Sequence, residues 1–137
     1  MNKHPYLRAY LAGIATPTVF LLVAMSGYTI WRYVVNIPVP IERMIVFPMA
    51  MVPNLWGLWN VLYLKLRQRR KISLGLFGAI LVLLIAPLGY LLTRVLSFEI
   101  PRVVLMALPV NLVVGAVLYY LLWKHIVGFL NAELGIA

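Results

Sequence analysis

The segment Lys65-Leu66-Arg67-Gln68-Arg69-Arg70-Lys71 sets five cations into seven residues, between two runs that carry no charge, residues 44–64 and 72–93. An α-helix rises 1.5 Å per residue, so about 20 apolar residues cross a hydrocarbon layer about 30 Å thick. Each run reaches that length, and the basic segment between them is then a short turn at a membrane surface. The same rule marks residues 11–31 and 103–123 as further uncharged runs. Only 11% of the 137 residues are charged and 64% are hydrophobic, where a soluble domain carries about a quarter charged residues. The expected fold is an all-α integral membrane protein. It is a four-helix transmembrane bundle with short loops, proline-kinked helices and a C-terminal interfacial helical extension over residues 126–137. The chain reads as one four-span domain, 1–137.

The spans differ in character. Pro5 suits a first helical turn, where its missing N–H costs nothing. Pro17 lies within the first span, and Thr16 or Thr18 can bond backwards to the carbonyls it disturbs. Ala9 with Gly13 and Ala12 with Thr16 are small residues four apart, the spacing that lets helices approach closely. The uncharged run 11–31 exceeds a signal-peptide core of about 7–15 residues and reads as a retained span. Asn36-Ile37-Pro38-Val39-Pro40 is a turn. The second span is the most irregular, with Pro48 and Pro53 on adjacent turns, where a kink or broken turn is expected. Its Trp56, Trp59, Asn60 and Tyr63 share one face. The third span holds Gly75 and Ala79 as a contact face, and Pro87 predicts a second kink. Pro109 and Asn111 fall in the first half of the fourth.

Charge position orients such a chain. With four spans the termini share a side with the basic segment. That side holds Lys3, Arg8, the five cations of 65–71 and Lys124; the other holds Arg32, Arg43, Arg94 and Arg102. The excess of eight over four places both termini and the 65–71 loop in the cytoplasm of a bacterial cell, with the spans in its inner membrane. The net charge of +9 therefore reflects helix ends. It is not the solvated basic face, interleaved with aromatics, that reads nucleic acid.

Gly27-Tyr28-Thr29-Ile30-Trp31-Arg32 resembles Gly89-Tyr90-Leu91-Leu92-Thr93-Arg94. Asn54-Leu55 and Tyr63-Leu64 match Asn111-Leu112 and Tyr120-Leu121 at a constant offset. Two duplicated helical hairpins would produce this pattern, which transporters use. Boundary aromatics and cations produce part of it without duplication.

Candidate sites follow from the polar residues. Asn54, Asn60 and Asn111 are expected as intramembrane polar contacts, either a ligand site or hydrogen bonds between helices. Lys65, Arg67, Arg69, Arg70 and Lys71 are candidate contacts to anionic lipid, beyond their part in topology. Arg32, Glu42, Arg43, Arg94, Glu99 and Arg102 are expected to gather in one outer rim. Its two excess positive charges would hold an anionic group such as a lipid phosphate, gripped by arginine forks. The alternative is that each cation reaches separately to the headgroups.

The chemistry classes thin out quickly. The chain has no cysteine, so disulfides and thiolate sites are excluded. HExxH, GxSxG and Gly-rich phosphate loops do not occur. No Asp, Glu, Lys, Arg or His lies inside a span, which weighs against proton-coupled transport. His4 and His125 sit at the boundary, where a haem or pigment ligand is less expected than an interfacial residue. No cofactor is implied. The expected role is non-enzymatic, an accessory, scaffold or assembly subunit of a larger membrane complex or a homo-oligomer. Its partners are membrane lipid and other membrane subunits or a second copy. A small-solute or lipid transporter is the alternative, and a lipid-acting membrane enzyme the third.

Overall fold

The computed structural model describes residues 4–38, 41–69, 71–97, 99–100 and 102–136, with the side chains of Arg43, Met44, Val46 and Val104 outside the description. Among the described residues the chain is helical and has no strand. Three helices are long and apolar enough to cross a membrane: Pro5–Tyr33, Leu74–Val95 and Leu108–Glu133. Two compact units divide the chain, Met1–Leu62 and Tyr63–Ala137.

The first unit is a hairpin. Helix α1 spans Pro5–Tyr33, with Pro5 in its first turn. Pro17 lies inside it without ending it. Thr18, Ser26 and Thr29 each turn their hydroxyls onto the carbonyl four residues back, at 2.7–2.9 Å. Such back-bonding keeps a hydroxyl satisfied on an otherwise apolar helix. The other threonine, Thr16, has a buried hydroxyl with no hydrogen-bond partner among the described residues. Asn36, at φ 60°, turns the chain after α1; asparagine tolerates this left-handed region. The return run begins with α2, Ile41–Met44. A π-helical turn follows over Ile45–Met49 and contains Pro48. Proline lacks an N–H and crowds the carbonyl four residues back, and widening the turn relieves both defects. Helix α3 then runs through Ala50–Arg67, with Pro53 inside it.

The face that α1 buries is Ala9, Ala12, Gly13, Pro17 and Leu21, largely a stripe at spacing four. Gly13 marks the crossing with α3. A Cβ there would lie 2.6 Å from the Trp56 carbonyl oxygen, and one on Gly57 would lie 2.5 Å from the Tyr10 ring. Only glycine lets the two backbones come this close.

In the second unit, Ser73 caps α4, Leu74–Val95, by accepting from the Leu76 N–H. The buried face of α4 is Gly75, Phe77, Gly78, Leu81 and Val82. After α5, Arg102–Met106, the fourth run is interrupted at Ala107 and resumes as α6, Leu108–Leu122. Pro109 explains the interruption: it cannot donate to Leu105, so the helix restarts with proline in its first turn. A π-helical turn, Trp123–Val127, and then α7, Gly128–Glu133, continue the run directly. Helices α4 and α6 pack antiparallel. The Tyr120 ring covers Gly75, and the Trp123 indole fills the space that a side chain on Gly78 would take.

The disturbance expected near Pro48 is the π-helical turn Ile45–Met49, and Pro87 lies inside α4. The 126–137 segment begins as helix that continues from α6, and its Val127, Asn131 and Ile136 are buried. It closes with Gly135 at φ 66°. The Ile136 N–H donates back to the Asn131 carbonyl at 2.7 Å, the left-handed glycine ending common at helix C-termini.

Candidate functional site

The loop end of each unit presents one arginine from the close of a long helix. In the first unit Arg32 donates to the Glu42 carboxylate at 2.8 Å, across the turn that follows α1. The guanidinium also lies 5.7 Å from the centre of the Tyr33 ring. Glu42 is held below its ordinary carboxyl range, first by its own backbone N–H and then by Arg32. This pair is mutually neutralised. The Arg43 side chain falls outside the described residues.

In the second unit Arg94 has a different partner. Its Nε donates to the Tyr90 hydroxyl at 3.1 Å, and its guanidinium lies 5.5 Å from the centre of the same ring. Tyrosine and arginine four apart stand on one helix face, so α4 itself supplies this contact. Ser97, at φ 56°, turns the chain back beyond the helix end. The result is an open cleft of about 370 Å³ lined by Tyr90, Thr93, Arg94, Ser97, Glu99, Ile100 and Leu105. Its wall is polar on the α4 side and apolar at Ile100 and Leu105. Arg102 is exposed and does not line it. Of the six expected rim residues, Arg32 and Glu42 thus pair in the first unit, and Arg94 and Glu99 share a cleft in the second. Tyr90, Thr93 and Ser97 were not expected as site residues. The Tyr90-to-Arg94 spacing was the one sequence signal that could have identified them.

The central amides have three different environments. Asn60 is 1% exposed and donates to the Ala9 carbonyl at 2.8 Å. Asn54 accepts from the Tyr10 hydroxyl at 2.5 Å and donates to the Ala50 carbonyl at 2.9 Å. That pair borders a second cleft of about 260 Å³ in the first unit, with Ile14, Leu21, Met49 and Pro53 among its walls. The side chain of Asn111 is exposed and has no hydrogen-bond partner among the described residues. No residue of α6 is buried; Gly115, one turn beyond Asn111, meets Val82 of α4, and Tyr120 meets Gly75.

The basic segment is not uniform either. Lys65, Arg69 and Lys71 are exposed, and Arg70 lies outside the described residues. Arg67 instead donates to the backbone carbonyl of Ile136. Its guanidinium thus reaches the chain's own C-terminal turn. Among the described residues, no three His, Asp or Glu side chains gather as a metal site would require.

Comparison with protein-family models, curated proteins and solved structures found no match.

Proposed function

We propose that the protein is an integral membrane protein that acts without catalysis, as an accessory, scaffold or assembly subunit of a larger membrane complex or as a homo-oligomer. The observation that carries this reading is the outer face of α6. Val110, Val113, Val114, Val117, Leu118 and Leu121 are exposed there, with the unpartnered amide of Asn111 beside them. The apolar residues alone suit lipid. An amide among them is costly in hydrocarbon unless another helix supplies a partner. A second transmembrane helix, from a partner subunit or another copy, would satisfy it.

Four helical runs cross the bilayer in this proposal, and the Lys/Arg bias puts the termini and the 65–71 loop on the cytoplasmic side of the bacterial inner membrane. A photo-crosslinking amino acid at position 111 should capture a neighbouring helix in the native membrane, and one at Phe20 should not. Asn111→Leu should weaken co-purification in mild detergent. A lone monomer that crosslinks only to lipid from position 111 would refute the assembly role.

Transport of a small solute or lipid is the second reading. The cleft beside the π-helical turn in the first unit favours it, since Tyr10 and Asn54 offer polar groups within an apolar wall. Solute flux in reconstituted vesicles that is lost with Tyr10→Phe would favour transport over assembly.

A further inference from the structure

Asn111 brings an amide to a helix whose other exposed residues are apolar. Its side chain is exposed and has no hydrogen-bond partner among the described residues. We propose that a second copy of this chain supplies the partner: two α6 helices pack in parallel about a two-fold axis along the membrane normal, with the two Asn111 amides bonded to each other. The proposal rests on the membrane reading and on α6 as the docking face, and it names the helix that docks there.

The exposed face of α6 carries two rows at the alternating three- and four-residue spacing of a left-handed helix pair. Val110, Val114, Val117 and Leu121 form one row. Asn111, Val114, Leu118 and Leu121 form the other, and every one of these side chains is exposed. The apolar members do not choose between the rows. In lipid, apolar side chains gain little by leaving acyl chains for one another, so close packing and interhelical hydrogen bonds decide where helices meet. Only the second row puts the amide into the seam. One polar residue in such a seam also fixes the register, because any slip strands it in hydrocarbon.

A second copy meets the need of Asn111 without a further assumption. Two chains inserted with the same orientation are related by an axis along the membrane normal, and a two-fold interface brings the same surface of each together. Each residue of the seam then faces its own counterpart at the same depth. A carboxamide both donates and accepts, so Asn111 is complementary to itself, whereas a carboxylate or ammonium would repel its copy. No Asp, Glu, Lys, Arg or His lies between Leu108 and Trp123, so no charge in the seam opposes self-association. A different membrane protein would have to bring a polar group to this one depth.

The test uses the full-length protein in native membranes. The chain has no cysteine, so single cysteines report without background. Placed in turn at 110, 114, 117, 118 and 121 and oxidised, they should form disulfide-linked dimers of twice the chain's mass. Yield should be high at 114, 118 and 121 and low at 110 and 117. Adding Asn111→Leu to the Leu118→Cys chain should lower its yield. In lipid vesicles, dimerisation is measured by energy transfer between labelled copies as lipid dilutes them. Asn111→Leu should weaken the dimer at least about threefold, the average worth of one interhelical hydrogen bond. Asn111→Gln keeps an amide and should weaken it less. Asn111 is exposed, so neither variant disturbs the packed interior. High yield at 110 and 117 in place of 118, a yield indifferent to Asn111→Leu, or no dimer at any position would overturn the proposal. The photo-crosslink at position 111 separates it from the assembly reading. An adduct with a different protein would sink the homodimer and leave the assembly role standing, whereas lipid adducts alone would remove both.

Discussion

The side-chain amide of Asn60 reaches across the first hairpin and donates to the backbone carbonyl of Ala9 at 2.8 Å. Asn60 is 1% exposed and Ala9 is fully buried, so the bond fixes the register of α3 on α1 where the two helices lie closest. Interhelical bonds of this kind contribute about 0.6 kcal/mol on average in membrane proteins and up to about 1.7. Asn60→Leu should lower unfolding stability in mixed micelles by about 1 kcal/mol. Asn60→Asp should cost more, because it buries a carboxylate against a carbonyl. Equal stability of the leucine variant and wild type would show that glycine packing alone sets the register.

Gly78 and Trp123 make the corresponding tight contact in the second unit. A Cβ on Gly78 would overlap the indole, and Trp123 is fully buried, so it has little room to retreat. Gly78→Ala should destabilise by about 1–3 kcal/mol, the usual cost of overpacking. Made in a Trp123→Ala background, Gly78→Ala should cost less, since the indole Cγ and Cδ1 that crowd the new Cβ are gone. A double-mutant cycle measures the coupling, and strictly additive effects would mean that the indole is not what confines position 78.

The sequence made the long helices readable for a physical reason: uninterrupted apolar length is a local property, and so is the effect of a basic turn on the chain's path. Pro48 and Pro109 announced disturbance, but proline states only which donor is missing. Whether the helix widens, as at Ile45–Met49, restarts, as at Ala107, or continues, as at Pro87, depends on what packs beside it. The cleft was half legible. Arg94 and Glu99 stood out as charges near a loop, whereas Tyr90 was signalled only by standing four residues before Arg94 on one helix. Contacts such as Tyr10 with Asn54, 44 residues apart, leave no trace in local pattern. The same holds for Arg67, which looked like one of five equivalent cations and instead bonds Ile136.

That bond gives Arg67 an effect its neighbours lack. The C-terminal turn depends on Gly135 at φ 66° and on the Ile136 N–H returning to Asn131, and the Arg67 guanidinium then holds the Ile136 carbonyl. Arg67→Gln should speed amide hydrogen exchange at residues 134–136 by about tenfold, taking about 1.4 kcal/mol for a charge-assisted bond. Arg69→Gln removes the same charge from an exposed position and should leave those amides unchanged. Gly135→Ala should also accelerate them, through strain in the left-handed region. Equal exchange in both arginine variants would mean that the loop acts on the tail only through its total charge.

Acid should loosen the turn after α1. Glu42 is held below its ordinary carboxyl range by its own backbone N–H and by Arg32, so the folded state binds its proton less readily than the unfolded state does. The contribution is therefore fully present above the unfolded value, near 4.5, and is lost as pH falls through the lower folded value. Glu42 is largely exposed in this pair, so solvent screening keeps the effect small, and added salt should shrink it further. The measurement is the difference in thermal midpoint between wild type and Glu42→Gln, followed from pH 7 downwards. Wild type should lead at neutral pH, and the two curves should converge below the unfolded value as the carboxylate takes up its proton. Arg32→Gln should reduce the pH dependence without abolishing it, because the backbone N–H that holds the carboxylate remains. A wild-type advantage that persists unchanged to the acid limit would show that Glu42 stabilises the turn by packing and not by its charge.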